Sequence, residues 1–108
     1  GGVVLIDFNT LRTYYNMDAV FMTQHSTRRF RERGIQMRDI KNALFTGTII
    51  EQYEDDFPFP SCLICGLSSK GRPLHIVMSD EGSASRIITA YFPDHKNWDE
   101  TYSVRKKG

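Results

Sequence analysis

The sequence predicts an α+β fold in which N-terminal helices pack on one face of a four-stranded, mainly antiparallel sheet. Apolar residues recur at helical spacing up to about residue 45, and four short strand-like segments separated by turn residues follow. The length of 108 residues, with 40% hydrophobic and 25% charged residues, fits one hydrophobic core. Residues 1–108 are therefore predicted to form a single domain, with Gly1 and Gly2 interpreted as a cloning remnant.

Three helices are predicted, over residues 7–16, 25–33 and 37–45. Asp7 is a candidate N-cap of the first helix, and a short extended segment, 19–23, precedes the second. Gly34 and Gly47 follow the second and third helices, and glycine tolerates the left-handed turn with which helices often end. In the first and third helices, apolar side chains at i, i+3 and i+7 form a stripe: Phe8, Leu11 and Tyr15, then Met37, Ile40 and Leu44.

Four strands are predicted, over residues 48–53, 61–68, 73–79 and 85–92. Side chains alternate along a strand, so a tight turn at Lys70-Gly71 pairs Gly66 with His75 and leaves His75 on the helix-free face. That face is expected to be open to water or to a ligand. The expected core set is Leu63, Cys65, Leu67, Leu74, Ile76, Met78, Ile88, Ala90 and Phe92, while Ile87, Thr89 and Tyr91 join His75.

A candidate catalytic site is predicted around His75, with Gly66 beside it. Thr89 and Tyr91 are expected on one side of the imidazole. Glu51 and Tyr53 have the same strand parity as Ile49. Because Ile50 competes with Ile49 for the core position, the sequence does not decide which face of the sheet they take. Histidine exchanges protons near neutral pH, and tyrosine or glutamate can act as its partner. The alternative is a structural histidine, half-buried on the sheet and hydrogen-bonded to Thr89.

A basic stripe is predicted on the second helix, although 14 Lys and Arg against 13 Asp and Glu give a net charge of only +1. His25, Arg29 and Arg33 are spaced i, i+4 and i+8, so they share one side of a helix. Guanidinium groups in such a stripe could hold phosphate oxygens. The alternative is structural, with His25 capping the start of the helix and Arg33 bonding carbonyls at its end.

No metal site, cofactor or membrane span is predicted. Cys62 and Cys65 spell C-x-x-C, but strand residues three apart point to opposite faces, which favours ordinary buried thiols. Asp94 and His95 are interpreted as loop residues without a partner, and Trp98 as the cover of a core edge. The longest apolar run is far too short for a bilayer. With only two cysteines, the expected compartment is the cytoplasm.

Over about residues 23–98, a series of short motifs occurs in order. The motifs include Gln24-His25, Arg29-Phe30, Glu32-Arg33-Gly34-Ile35, Ile49-Ile50-Glu51, Tyr53, Pro60-Ser61-Cys62-Leu63, Gly71-Arg72-Pro73-Leu74-His75-Ile76-Val77 and Ile88-Thr89-Ala90-Tyr91. This series resembles the bacterial domain-of-unknown-function family 4258. The first helix lies outside the resemblance, so it is either an addition that packs on the domain or a partner-binding element.

The resemblance implies a RelE-like and barnase-like (BECR) fold, the group that includes ribonuclease toxins of toxin–antitoxin pairs. It also implies RNA and a cognate antitoxin, of the small zinc-ribbon type, as partners. The polar residues that match the motifs are His25, Arg29, Arg33, Glu51, Tyr53, Arg72, His75, Thr89 and Tyr91.

The function expected from this resemblance is a metal-independent endoribonuclease toxin of a toxin–antitoxin pair, and the roles of the residues are assigned from their chemistry. His75 would be the acid or base, with Glu51 or Tyr91 as counterpart, and Tyr53 would stack a base. The arginines of the set would hold phosphate. The alternative is a non-catalytic protein- or RNA-binding module of the same fold.

Overall fold

The computed structural model describes residues 5–107, so the interpretation of Gly1 and Gly2 lies outside the described residues. Three helices pack on a five-stranded mixed sheet, with strand order β1-β5-β4-β3-β2. The elements are α1 (Phe8–Asn16), β1 (Val20–Phe21), α2 (Gln24–Glu32), α3 (Met37–Thr46), β2 (Thr48–Tyr53), β3 (Ser61–Leu67), β4 (Pro73–Ser79) and β5 (Ser85–Tyr91).

The three predicted helices are confirmed, with ends within one residue of the expected positions. The Asp7 carboxylate accepts a hydrogen bond from the Asn9 amide at 2.8 Å, which caps α1. Gly34 follows α2 with a φ of +71°, the left-handed conformation that glycine adopts without strain. Leu11 and Tyr14 of α1 are buried in the core, so this helix packs on the domain.

The sheet has one strand more than predicted. Val20 and Phe21, in the segment expected to be extended, pair in parallel with Ser85 and Arg86 at the start of β5. The other pairings are antiparallel. Because β1 is only two residues long, it covers the outer edge of β5 at one end only.

The predicted pairing of β3 with β4 is wrong by one residue. Cys65 lies opposite His75, and Gly66 lies opposite Leu74. The reason is the connecting loop, 68–72, in which the Ser68 amide donates to the Arg72 carbonyl at 2.7 Å and closes a longer turn than expected. Cys62 and Ile64 are therefore the core residues of β3, and the predicted core residues of that strand lie on the opposite face: Leu63, Cys65 and Leu67. On β4 the prediction is confirmed, because Leu74, Ile76 and Met78 are buried in the core.

A bulge in β5 changes which of its isoleucines is buried. Val77 pairs with Thr89, but Met78 pairs with Ile87, so Ile88 is an extra residue in the strand. Ile87 is fully buried and Ile88 is 46% exposed, which is the reverse of the prediction. Outside the bulge the predicted faces are confirmed: Ala90 and Phe92 pack in or against the core, and Tyr91 pairs with His75.

Gly66 lies under α3 rather than beside His75. A Cβ atom at this position would come within 2.3 Å of the Ala43 carbonyl oxygen and 2.7 Å of the Ala43 Cα. The missing side chain therefore lets α3 approach β3 at backbone contact distance. The prediction that Gly66 forms part of the candidate site is wrong.

The helix-free face is covered, not open as the sequence predicted. Residues 94–107, which we name the covering segment, fold back across it. Trp98 and Arg105 form an isolated antiparallel bridge. The Asp99 amide donates to the Val104 carbonyl at 2.9 Å, and the Lys106 amide donates to the Asn97 carbonyl at the same distance. Among residues 5–107, no helix is long and apolar enough to cross a membrane.

Candidate functional site

His75 lies on the face opposite the helices, as predicted, but its side chain is fully buried. Its ring makes edge contacts with Tyr91 and Trp98, at centroid separations of 5.2 and 4.5 Å. Nε2 lies 2.7 Å from the carbonyl oxygen of Tyr102, which can only accept, so Nε2 carries the proton. Nδ1 of the neutral ring therefore accepts from the Tyr91 hydroxyl at 3.2 Å.

Burial of His75 favours the uncharged ring. Burial lowers the pKa of His75, and the bond to the Tyr102 carbonyl and the nearby charge of Glu51 oppose this effect without cancelling it. The alternative of a structural histidine bonded to Thr89 is wrong in its partner, because the ring nitrogens contact Tyr91 and Tyr102.

Glu51 and Tyr53 lie on the same face as His75, which settles the open question of their orientation. A bulge at Ile50 separates Ile49, which packs against the core, from Glu51, which pairs with Leu63. The Tyr53 hydroxyl donates to the Glu51 carboxylate. The chain thus places a carboxylate and a phenol on the face that carries the imidazole, with the charge of Glu51 close enough to act on His75.

Arg105 of the covering segment donates two hydrogen bonds to the Glu51 carboxylate, of 2.9 and 3.1 Å. Its guanidinium also lies over the Trp98 ring, 4.6 Å from the centroid. Burial alone would raise the pKa of Glu51, but the hydrogen bonds from Arg105 and Tyr53 outweigh it and lower that pKa. Burial and the bond to Glu51 raise the pKa of Tyr53 to about 12.

We name Glu51, Tyr53, His75, Tyr91 and Arg105 the acid–base cluster. It combines an ionised carboxylate, two phenols, a neutral imidazole and a guanidinium. The Glu51 and Arg105 side chains are 25% and 58% exposed, so a ligand can reach both. The sequence did not point to Arg105, because neither spacing nor parity indicates which strand a C-terminal loop will contact.

The predicted phosphate-binding residues lie apart from the acid–base cluster. His25, Arg29 and Arg33 line one cleft together, so the predicted stripe on α2 is confirmed. Arg33 Nη1 donates to the Ala90 carbonyl at 2.7 Å and to the Thr89 hydroxyl at 3.3 Å. Arg33 therefore bonds one carbonyl and one hydroxyl of β5 rather than the carbonyls of its own helix end.

His25 does not cap α2, since the Thr23 hydroxyl accepts from the Ser26 amide at 3.0 Å. Arg72 lies next to this stripe, in an adjoining cleft, with its guanidinium 3.9 Å from the centroid of the Phe92 ring. The sequence-predicted site is therefore divided into two parts. Thr89 connects them, because it touches Arg33 and lies on the same face of β5 as Tyr91.

The two cysteines lie on opposite faces of β3, as predicted. Cys62 is in the core, where burial raises the pKa of its thiol to about 12, and Cys65 lies on the His75 face. Among the described residues, 5–107, no group of three His, Cys, Asp or Glu side chains could hold a metal ion.

The prediction that Asp94 and His95 have no partner is wrong. Asp94 accepts from the Lys96 and Asn97 amides at 3.0 and 3.2 Å. The Tyr102 hydroxyl lies 2.6 Å from His95 Nε2, and the two rings stack. These contacts shape the turn of the covering segment. Trp98 is 3% exposed and covers the His75 ring. The sequence had predicted that it would cover an edge of the core.

A family model described as a domain of unknown function (DUF4258) matches residues 22–92. The chain belongs to this family. Neither the curated proteins nor the solved structures gave a match. The DUF4258 match confirms the family resemblance, whereas the RelE-like and barnase-like fold stays a prediction.

The DUF4258 region contains both parts of the candidate site except Arg105. Glu51, Tyr53, His75 and Tyr91 fall within residues 22–92, as do the basic residues of α2. Helix α1 and the covering segment lie outside the matched region. In this DUF4258 protein, Trp98 and Tyr102, which contact His75, and Arg105, which binds Glu51, therefore lie beyond the matched region.

Proposed function

We propose that this chain is a metal-independent endoribonuclease of the toxin–antitoxin type, which cleaves RNA in the acid–base cluster. The observation that carries the proposal is that an ionised Glu51, held by Arg105, shares a sheet face with the hydrogen-bonded His75–Tyr91 pair and acts on both through its charge. RNA cleavage of this kind needs a base, an acid and a cation at the phosphate, and the cluster contains one candidate for each.

In the proposed step, the Glu51 carboxylate accepts the proton of the 2′-hydroxyl. The 2′-oxygen then forms a bond to phosphorus, and the bond from phosphorus to the 5′-oxygen breaks. The leaving 5′-oxygen takes the Tyr91 hydroxyl proton. The Tyr91 phenolate then takes a proton from water, and the protonated Glu51 releases one to water. The products are a 2′,3′-cyclic phosphate and a 5′-hydroxyl, and the neutral His75 ring orients the Tyr91 hydroxyl through Nδ1.

The other predicted site residues have supporting roles in this proposal. Arg105 neutralises charge that develops on the phosphate, and the Tyr53 ring stacks a base. His25, Arg29, Arg33, Arg72 and Thr89 bind the RNA away from the reacting bond. His75 acts through Tyr91, because its fully buried ring cannot touch the substrate unless the covering segment moves.

The test is cleavage of mixed RNA in the presence of a chelator, with detection of 2′,3′-cyclic phosphate ends. We expect Glu51→Gln and Tyr91→Phe each to reduce cleavage by about 100-fold or more, the usual effect of removing a general base or acid. Glu54→Gln is the matched control, because Glu54 is exposed just after β2. Unchanged cleavage by a folded Glu51→Gln variant would refute this assignment of the base.

The second candidate function is a non-catalytic protein- or RNA-binding module. Its support is that both ring nitrogens of the buried His75 already have partners within the chain. Expression in bacteria separates the two candidates. Growth arrest by the wild type, relieved by Glu51→Gln and by a co-expressed zinc-ribbon antitoxin, favours the toxin. Neither arrest nor cleavage favours the module.

A further inference from the structure

Two adjoining clefts lie between α2, the start of α3, loop 68–72 and the end of β5. Their volumes are about 260 and 300 Å³, and Arg33 lines both of them. We name the two together the basic groove. Its basic lining residues are His25, Arg29, Arg33, Arg38, Lys70 and Arg72.

The positive charge of the basic groove is offset only in part by the chain, because five Arg and Lys residues line it with one acidic residue. Asp39 is the acidic residue that lines it, and its carboxylate is already engaged by the Gln36 amide at 2.8 Å and by the Ser69 amide and hydroxyl at 3.0 and 2.6 Å. The two salt bridges found within residues 5–107 are Glu81–Arg86 and Glu51–Arg105, and neither includes a groove residue. A compact set of unpaired cations attracts a polyanion despite the balanced total charge.

The lining of the basic groove fits phosphate better than a protein surface. Protein interfaces are anchored by aromatic and apolar side chains. Here Phe30 is only 4% exposed, and the Arg72 guanidinium covers the Phe92 ring, which leaves Ile88 at one end as the exposed apolar side chain. Guanidinium groups match phosphate oxygens with two parallel hydrogen bonds.

We propose that the basic groove binds the phosphate backbone of an RNA strand whose cleavage site lies in the acid–base cluster. The choice of RNA over other polyanions rests on the proposed function. Arg33 connects the two regions through its bond to Thr89, and Tyr91 follows two residues later on the same face. Because its bonds to β5 already hold Arg33, less side-chain freedom is lost when a phosphate binds.

The experiment measures binding of a fluorescein-labelled single-stranded RNA in which every 2′-oxygen is methylated. This probe keeps the phosphates but lacks the nucleophile, so the wild-type protein cannot cleave it by the proposed step. The test variant is Arg38→Gln/Lys70→Gln/Arg72→Gln. The control is Arg28→Gln/Arg31→Gln/Lys41→Gln, which removes the same charge from exposed positions of α2 and α3 that do not line the basic groove.

We expect the test variant to bind at least tenfold more weakly than the control at the same salt concentration. The slope of log affinity against log salt should fall by about 2, because each lost phosphate contact removes about 0.7 for a single strand. An equal loss in the control would show that net charge and not the groove binds RNA. Displacement of the probe by polyglutamate as effectively as by unlabelled RNA would point to an acidic protein ligand and overturn the proposal.

The two proposals fail in different ways. If the wild type binds the methylated probe through the groove but does not cleave unmodified RNA, the nuclease proposal fails and the groove proposal stands. If unmodified RNA is cleaved and the test variant binds as tightly as the control, the groove proposal fails and the nuclease proposal stands.

Discussion

His75 Nε2 donates a hydrogen bond to the backbone carbonyl oxygen of Tyr102, 27 residues later in the sequence, with 2.7 Å between the two atoms. This bond joins β4 to the covering segment. It fixes the tautomer of the imidazole and directs Nδ1 towards the Tyr91 hydroxyl. Protonation of His75 and the position of the covering segment are therefore coupled.

Stability should decrease as the pH falls below about 6.5, the ordinary pKa of histidine. Burial lowers the pKa of His75 in the folded chain, so the unfolded chain binds more protons between the folded pKa and 6.5. The stabilisation is complete above this window and is lost as the pH falls through it. Urea unfolding at a series of pH values measures the effect. In His75→Gln the slope in this window should flatten, and an identical slope in both proteins would contradict the assignment to His75.

Trp98 is the single tryptophan, so its fluorescence reports the covering segment directly. It is 3% exposed, and the Arg105 guanidinium lies against its ring. We expect Arg105→Gln to shift the emission to longer wavelength, because losing the Glu51 ion pair loosens the segment and admits water to the indole. Arg86→Gln is the control, since it breaks the Glu81–Arg86 ion pair elsewhere. An equal shift in both variants would contradict this coupling.

The sequence predicted the helices and strands well because their signals are local. Cap residues, glycine stops and apolar spacing define α1, α2 and α3 within a residue. The register of β3 failed because loop 68–72 is held by contacts that periodicity does not show, among them the bonds from Ser69 to Asp39 of α3. A shift of one residue in pairing then moved Gly66 and Cys65 to the opposite faces.

Gly66→Ala should destabilise the fold by about 1–3 kcal/mol, the usual range for overpacking a core. The added methyl would meet the Ala43 backbone at 2.3–2.9 Å, and backbone atoms of a packed helix cannot move aside as a flexible side chain can. Thermal or urea unfolding measures the loss. Gly34→Asn is the matched control, because no atom lies within 4 Å of its Cβ position and Asn tolerates positive φ. Equal stability of Gly66→Ala and wild type would contradict the close packing of α3 on β3.

Tyr14→Phe should cost about 1.5–3 kcal/mol of unfolding free energy, the usual net value of a hydrogen bond to a charged group. The Tyr14 hydroxyl donates to Asp80 Oδ1 at 2.8 Å, which ties α1 to the end of β4. Tyr15→Phe is the control, because the Tyr15 ring packs on Phe45 and its hydroxyl makes no side-chain hydrogen bond within residues 5–107. A cost for Tyr15→Phe as large as that for Tyr14→Phe would indicate that this bond is not the cause.

The candidate site was predicted in part. Alternation along β4 and β5 was sufficient to bring His75 and Tyr91 together, because both strands are regular at that point. It could not predict that His75 is buried, since the covering segment has no regular helix or strand and no local signal pairs Arg105 with Glu51 of β2. The division between the acid–base cluster and the basic groove also had no local signal.

Side chains of α2 and the residue after it cover backbone carbonyls at the outer edge of β5. Beyond its short pairing with β1, the strand presents carbonyl groups that another chain could use to extend the sheet. The Ser26 hydroxyl donates to the Ile88 carbonyl at 3.2 Å, and Arg33 occupies that of Ala90. Besides lining the basic groove, Arg33 thus occupies a carbonyl that another chain would need for β-pairing. Its loss would make the protein prone to concentration-dependent self-association.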